Sequence, residues 1–446
     1  MKAKNPGAAD AAVDSGLTES CIELAMAKSE SGAIDDKLEA LSVAQLKTMV
    51  AEIKDLEVKN AADTAEALTN RDSLRKHIGN FLHESVPRFE HEEDNVIERT
   101  IGPVGEAFRR KYSHVDLIVM IDGVDHERGV TVSGNRGYFL KGAGVALEQA
   151  LVSFAHDFLA SRGSTPLSPP VFMNKDVMSE VAQLSQFAEE LYKVSCRRSE
   201  VESETAEEEK FLIATGEQPI AAFHRKERFM AKDLPIRYAG ISECFRQEVG
   251  SSGRDSKGIF RVHQFKKIEQ FCITDPENSW DMFQEMIGNA EAFTQALGLS
   301  YQVVNIVSGD LNLAAAKKFD LEAWFPGQGN FRELVSCSNC TDYQSRRLDI
   351  RFGAKKQAQD PTASDRTSYV HMLNSTLCAT TRVICCILES YQVGDFETGG
   401  GIVIPEVLRK YVPDSYGDFI PFVKGPPDAE ADTKKAKKKA KGGKKK

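Results

Sequence analysis

Between Tyr238 and Val249, and again between Ile259 and Phe271, apolar and polar residues alternate with the two-residue period of a half-buried strand. The residues that separate the two runs, Gly250, Ser251, Ser252, Gly253 and Gly258, are turn formers, so this stretch predicts a long-looped β-hairpin. Alternation places Arg246 and Glu248 on one face of the first strand, and Arg261, Phe265 and Glu269 on one face of the second. Folded together, these faces offer cations, carboxylates and an aromatic ring to one ligand. Paired charges on an exposed hairpin satisfy the same pattern, and charge alone does not choose between the two.

A helical period governs other stretches. From Asp36 to Leu82, Leu46, Ile53, Ala67 and Leu74 fall on a seven-residue spacing with Leu56 between, while Asn60, Asp63 and Asn70 interrupt the seam. This predicts one strand of a weak coiled coil, or else a solvated amphipathic helix. Ala143 to Arg162 predicts an amphipathic helix stopped by Gly163, and Ser279 to Leu299 a second one. Tyr301–Val307, Asp320–Pro326 and Phe331–Asn339 read as strands; Val370 to Tyr391 starts as a short strand and becomes an apolar helix. Three prolines between Pro166 and Pro170 allow only an edge strand or a loop. Residues 1 to about 35 carry no period and predict disorder or a frayed helix. The charged run 197–210 and the polar segment 352–368 read as surface loops, and 434–446 as lysine-rich low complexity.

Composition narrows the classes. A chain of 446 residues exceeds one small domain and allows a body of some 300 residues with an appendage. No apolar run approaches the ~18 residues of a membrane span and no signal-peptide stretch opens the chain, which predicts an intracellular protein without a membrane partner. Nine cysteines without a disulfide rhythm predict reduced thiols. Cys337 and Cys340 have CxxC spacing, but no second pair lies at zinc-finger distance, so no structural zinc is expected. The net charge of −9 includes nine lysines in residues 434–446, which leaves −9 − 9 = −18 on the rest. Such an acidic body can hold nucleic acid only through local basic patches or the tail.

The run FRQE, a Gly-rich loop, then RVHQF and KIEQF (Phe245 to Phe271) resembles motif 2 of the class II aminoacyl-tRNA synthetases, in the wording of the seryl-tRNA synthetases of the eukaryotic cytosol. The resemblance extends from about Ile78 to Val423. The helix from Ala143 with Thr165–Met173 resembles motif 1, the dimer-forming element, with Pro170 at its proline. Asn374 to Arg382 (NSTLCATTR) resembles motif 3, and Thr215-Gly216-Glu217 the family's Thr-x-Glu loop, with glycine where serine is common.

The resemblance implies an α+β fold, a class II antiparallel β-sheet flanked by helices with a helical N-terminal arm. The implied domains are a tRNA-binding arm at 1–85, a catalytic domain at 86–424 and a disordered tail at 425–446. Only about 77 residues precede Ile78, so the arm is expected to be short. The implied activity is that of a serine–tRNA ligase: serine and ATP give seryl-adenylate and pyrophosphate, and serine then passes to the 3′ end of tRNA(Ser), and of tRNA(Sec) where present. The implied partners are tRNA(Ser), L-serine, ATP with Mg²⁺ and a second copy of the chain. The implied location is the cytoplasm, with a minor nuclear pool through the lysine tail.

The resemblance also assigns residues. Arg246 and Arg382 are the catalytic pair. Thr215, Glu217, Arg246, Glu269 and Asn374 bind serine, with Glu269 on its hydroxyl. ATP falls to Arg246, Gln247, Glu248, Arg261, Val262, His263, Gln264, Phe265, Glu333, Leu334, Val335, Ser336 and Arg382. Phe265 stacks adenine, and Glu333 with Ser336 holds Mg²⁺. Two other readings stay open: a relative that loads serine onto a carrier protein, and a non-catalytic RNA-binding relative.

Overall fold

The computed structural model describes residues 42–75, 77–182, 190–196, 208–249, 257–353 and 368–427. The segment 1–35, most of the insertion at 197–210, most of the hairpin loop, most of 352–368 and the lysine tail lie outside them. The chain divides into two units, Met1–Ile78 and Gly79–Lys446.

In the first unit, helix α1 spans Val43–Arg75. Ser42 starts it with a reciprocal cap: its backbone N–H donates to Gln45 Oε1 at 3.0 Å, and the Gln45 N–H donates to Ser42 Oγ at 3.2 Å. Ile53, Leu56 and Leu74 of the predicted seam are exposed.

The second unit is built on an eight-stranded sheet. Its elements in chain order are β1 (Val96–Ile101), α2 (Ala143–Ala160), β2 (Thr165–Leu167), β3 (Ile236–Phe245), β4 (Gln264–Thr274), α3 (Ser279–Ala296), β5 (Tyr301–Asn305), β6 (Lys317–Phe325), β7 (Asn330–Asn339), β8 (His371–Ala379) and α4 (Thr380–Tyr391). The strand order is β1-β5-β6-β7-β8-β4-β3-β2, and every pairing is antiparallel except β2 with β3. The proline-rich segment takes the sheet's edge, where a missing N–H breaks no ladder. Gly163 adopts φ +80° just past α2, a conformation that glycine reaches without a Cβ clash.

One face of the sheet is apolar. Ile268, Cys272, Leu321, Val335, Cys337, Leu373 and Leu377 pack there with the buried sides of α2, α3 and α4, in a core that includes Leu147, Phe283 and Ile384. Gln270, on the same face, satisfies its amide by donating to Met286 O of α3 at 2.9 Å. The opposite face is polar over its middle strands.

Two register shifts decide which residues reach that polar face. On β7, Val335 pairs with Leu321 and Glu333 with Glu322, so Leu334 is an extra residue. On β8, Cys378 pairs with Ile268 and Thr376 with Glu269, so Leu377 is extra. A bulge reverses the alternation locally. Glu333 and Ser336, three apart and on opposite faces in a regular strand, therefore share one face, as do Thr376 and Ala379.

Candidate active site

The predicted hairpin forms, but its strands end early: β3 stops at Phe245 and β4 begins at Gln264, with Phe265 opposite Cys244 and Glu269 opposite Gly240. Arg246, Glu248 and Arg261 thus lie beyond the ladder, in the chain that leaves and re-enters it. Strand alternation does not bring them together; local hydrogen bonds do. The Arg246 N–H donates to His263 O at 2.9 Å, His263 Nδ1 lies 2.9 Å from Arg246 O, and Arg246 Nε donates to Ala214 O at 3.2 Å. Glu248 sits at φ +52°, a strained backbone for a residue with a Cβ, and its carboxylate lies 3.3 Å from Arg261 Nε and 4.0 Å from Arg136 Nη1.

These residues border an open cavity of about 450 Å³, its solvent-filled mouth included. Arg246, Glu248, Arg261, Val262 and Phe265 form one side; Glu333, Leu334, Thr376, Ala379, Thr381 and Arg382 form the other. Arg382 stands in the first turn of α4, so its guanidinium and the positive end of the helix dipole act on the same space. It donates to Glu333 O at 3.1 Å and to Glu333 Oε2 at 3.2 Å. The Arg246 guanidinium lies 5.5 Å from the Phe265 ring centre. Phe260, which no sequence argument singled out, also lines the cavity, with Arg382 at 4.9 Å and Arg332 at 4.2 Å from its ring.

Glu333 is 45 % exposed, opening onto the cavity. Enclosure by the walls would raise its pKa, but Arg382, Lys318 and Arg246 outweigh that and hold it down to about 2. Asp320, directly opposite Ser336 and on the same face, behaves the other way: burial first, and the Glu333 charge after the opposing pull of Lys318, push it up. Its Oδ1 is buried without a hydrogen-bond partner.

Glu269 does not line this cavity. It is 2 % exposed and sits behind it, accepting from Thr215 Oγ1 at 2.8 Å and from the Glu217 backbone N–H at 2.8 Å, with Lys267 Nζ 2.6 Å from Oε1. Lys267 also donates to Thr215 Oγ1 at 2.9 Å and does line the cavity, so it joins the two compartments. The two-residue period that picks out Phe265 and Glu269 passes through Lys267, so the signal for this residue is present in the sequence. Gly216 has a local reason for lacking a side chain: a Cβ there would stand 2.8 Å from Glu269 Oε2 and 2.9 Å from Ser242 Oγ.

Glu217 accepts from Gln344 Nε2 at 2.7 Å. Burial, then the negative charge of Glu269, pushes its carboxyl up to about 7. Asn374 is close by: its Nδ2 donates to Cys340 Sγ at 3.5 Å, and the Cys340 thiol is raised by burial and next by the Glu217 charge. Thr215, Glu217, Glu269 and Asn374 therefore form a second, acidic compartment.

The remaining predicted residues reach neither compartment with their side chains. Gln264 faces the other side of β4, its Nε2 3.3 Å from Glu243 Oε2, and Val335 is in the helix-facing core. Gln247 donates to Leu191 O, and His263 is occupied with Arg246 O. Among the described residues, no group of three or more His, Cys, Asp and Glu is gathered as a metal cluster, and no helix is long and apolar enough to cross a membrane. Cys244, Cys272, Cys337, Cys340, Cys378, Cys385 and Cys386 are buried and free of disulfides.

The tRNA synthetase class II core domain (G, H, P, S and T) matches residues 192–391. The cytoplasmic serine–tRNA ligase of Bos taurus is 55 % identical over 414 residues, covering 92 % of this chain and 78 % of that one. The crystal structure of the cytoplasmic serine–tRNA ligase of Naegleria fowleri in complex with AMP superposes with a TM-score of 0.78 at 44 % identity, covering 94 % of this chain and 84 % of that one. Seryl-tRNA synthetase from Pyrococcus horikoshii complexed with ATP superposes at 0.75 with 38 % identity, covering 92 % and 89 %. An antiparallel sheet with helices on one face, an arginine-lined cavity on the other, and this identity over nearly the whole chain place the protein in the serine–tRNA ligase family of the class II aminoacyl-tRNA synthetases.

Proposed function

We propose that this serine–tRNA ligase activates serine with ATP across the two compartments and then charges tRNA(Ser), together with tRNA(Sec) where a cell makes it. A serine carboxylate oxygen attacks the α-phosphorus; the new P–O bond forms as the bond to the bridging oxygen breaks, and pyrophosphate leaves with that electron pair. Both reactants are anions, so the site's work is alignment and charge neutralisation. Arg246 meets the α-phosphate and the serine carboxylate, Arg261 and Arg382 meet the outer phosphates, and Phe265 carries the adenine beneath Arg382. Planar guanidinium forks suit paired phosphate oxygens. Glu248 accepts from the adenine amine, and backbone from Val262 to Phe265 and Glu333 to Ser336 frames the nucleotide.

In the acidic compartment Thr215 and Glu217 take the serine ammonium, Glu269 accepts the hydroxyl, and Asn374 forms the hydroxyl side of the pocket. In the second step the 3′ hydroxyl of tRNA attacks the adenylate carbonyl and AMP leaves; a phosphate oxygen of the adenylate takes the proton. No protein base is needed.

The donor set fits Mg²⁺. The Leu334 bulge puts Glu333 and Ser336 on one face beside Asp320, whose Oδ1 lacks a partner, and all are the hard oxygen donors that this ion takes. Glu333 and Ser336 would hold it. When bound, the ion would neutralise phosphate charge.

What supports this reading most is the meeting of three arginines at one cavity with a buried acidic pocket behind it. We assign 1–85 to a tRNA-gripping arm, 86–424 to catalysis and 425–446 to a tail. The chain acts as a homodimer joined through α2 and the edge strand β2, in the cytoplasm with a minor nuclear pool. Purified protein should exchange pyrophosphate into ATP with serine and charge total tRNA with labelled serine. Exchange without charging would favour a carrier-loading ligase; no serine-dependent exchange would overturn the reading.

A further inference from the structure

Two carboxylates, Glu217 and Glu269, are enclosed in the compartment assigned to serine, while serine brings a single ammonium group to it. The excess negative charge needs a resident cation. Arg246 is nearby, but its Nε is committed to Ala214 O at 3.2 Å and it faces the anion cavity. Lys267 is 8 % exposed, and its stem rises from the same face of β4 as Glu269, two residues away. Its ammonium is 2.6 Å from Glu269 Oε1 and 2.9 Å from Thr215 Oγ1.

We propose that Lys267 is a positioning residue of the serine pocket: it holds Glu269 as an ionised acceptor aimed at the substrate hydroxyl and leaves Glu217 for the substrate ammonium. This rests on the assignment of serine to that compartment. An ionised acceptor is what rejects alanine, because alanine leaves a buried charge without its hydrogen bond. A Glu269 that has lost the ammonium 2.6 Å from its Oε1 is no longer held on the substrate hydroxyl, and an acceptor free to turn away costs less when left unpaired beside alanine. Removing Lys267 should therefore weaken serine activation and also narrow the margin over alanine. A side chain that only fills space would do the first without the second. The structure supplies the reason Lys267 can do this without blocking the nucleotide: it reaches the acidic pocket sideways along the sheet face, not across the cavity.

The test uses Lys267→Met, Glu269→Gln and the double variant, assayed by pyrophosphate exchange with serine and with alanine, with ATP affinity measured by calorimetry. Lys267→Met should lower kcat/KM for serine roughly 10- to 100-fold, the range for loss of a charged hydrogen bond. The ATP Kd should stay within about twofold, and the serine-to-alanine ratio should fall by about tenfold or more. In the Glu269→Gln background, adding Lys267→Met should change serine kcat/KM by less than about twofold, because the partner it serves is gone. Equal losses in both backgrounds, or an unchanged serine-to-alanine ratio, would overturn the proposal. Lys267→Gln, which keeps a stem and a donor, repeats the test should the methionine variant lose its thermal transition. A wild-type protein inactive with serine sinks the site assignment itself; an active wild type with indifferent variants sinks only the role of Lys267.

Discussion

Replacing Glu269 by Gln keeps the side chain's shape and removes its charge. In the structure three donors converge on this carboxylate, the Thr215 hydroxyl, the Glu217 N–H and the Lys267 ammonium, and the assigned substrate hydroxyl is a fourth. A carboxylate has about four acceptor sites, whereas an amide has one acceptor oxygen and two donor hydrogens, so at least one of the four donors must face N–H₂. Losing the charge on the bond to serine costs about 1 kcal/mol, and one unsatisfied buried donor adds about 1–3 kcal/mol. The sum, about 2–4 kcal/mol, corresponds to a loss of roughly 30- to 1,000-fold in kcat/KM for serine. The cavity assigned to ATP lies on the other side of Lys267, so the ATP KM should hold within about threefold. The assay is pyrophosphate exchange with serine and ATP varied in turn, alongside thermal unfolding with and without serine. Serine should stabilise the wild type and not the variant. Serine kinetics within threefold of wild type, or an equal rise in the ATP KM, would show that Glu269 does not read the hydroxyl.

The acidity of Glu217 gives a pH signature. Its folded pKa of about 7 lies above the unfolded value of 4.5, so the empty protein keeps this contribution to stability below pH 4.5 and loses it as pH rises toward 7. Serine binding needs the ionised form, so the serine KM should climb about tenfold per pH unit below pH 7, and the break should move to lower pH in Glu269→Gln, where the neighbouring charge is absent. A flat KM from pH 6 to 8 would contradict this. Arg382→Lys keeps a cation that can still reach Glu333, as the arginine does through Nη1 alone, but loses the planar fork suited to paired phosphate oxygens; ATP KM should rise about tenfold with serine KM little changed, and an unaltered ATP KM would remove Arg382 from the phosphate site. Deleting 434–446 should lower tRNA affinity mainly at low salt and flatten the salt dependence by roughly 0.7–0.9 for each phosphate that the tail neutralises, leaving serine activation untouched; an unchanged slope would show that the tail does not touch RNA.

Much of the molecule is legible along the chain. The period of two predicts β3 and β4, the apolar stripes predict α2 and α3, the Pro-rich segment is readable as an edge strand, and Thr215, Arg246, Glu269 and Arg382 can be named from motif wording. The limits have physical causes. Alternation carried through Arg246 and Glu248 overreaches, because the ladder ends at Phe245 and strand pairing depends on a partner that the local sequence does not contain. Asp320 and Phe260 escape notice because an aspartate in an apolar strand and a phenylalanine in a loop are ordinary core residues until something is packed beside them. The α1 seam is compatible with a coiled coil or with a solvated helix, and Ile53, Leu56 and Leu74 are exposed: a seven-residue spacing fixes which side chains align, not what covers them.

The sequence by itself determined most of the sheet's strands and the helices packed on it, and which side of them is apolar, because those depend on a side chain's solvation and its neighbours two to four places away. Only the tertiary structure decided that Glu333 and Ser336 look the same way, that Glu269 stands behind the cavity, and that Lys267 bridges to it. Each of these depends on how neighbouring strands register, and one extra residue on β7 or β8 reverses the outcome without changing the local pattern of polarity.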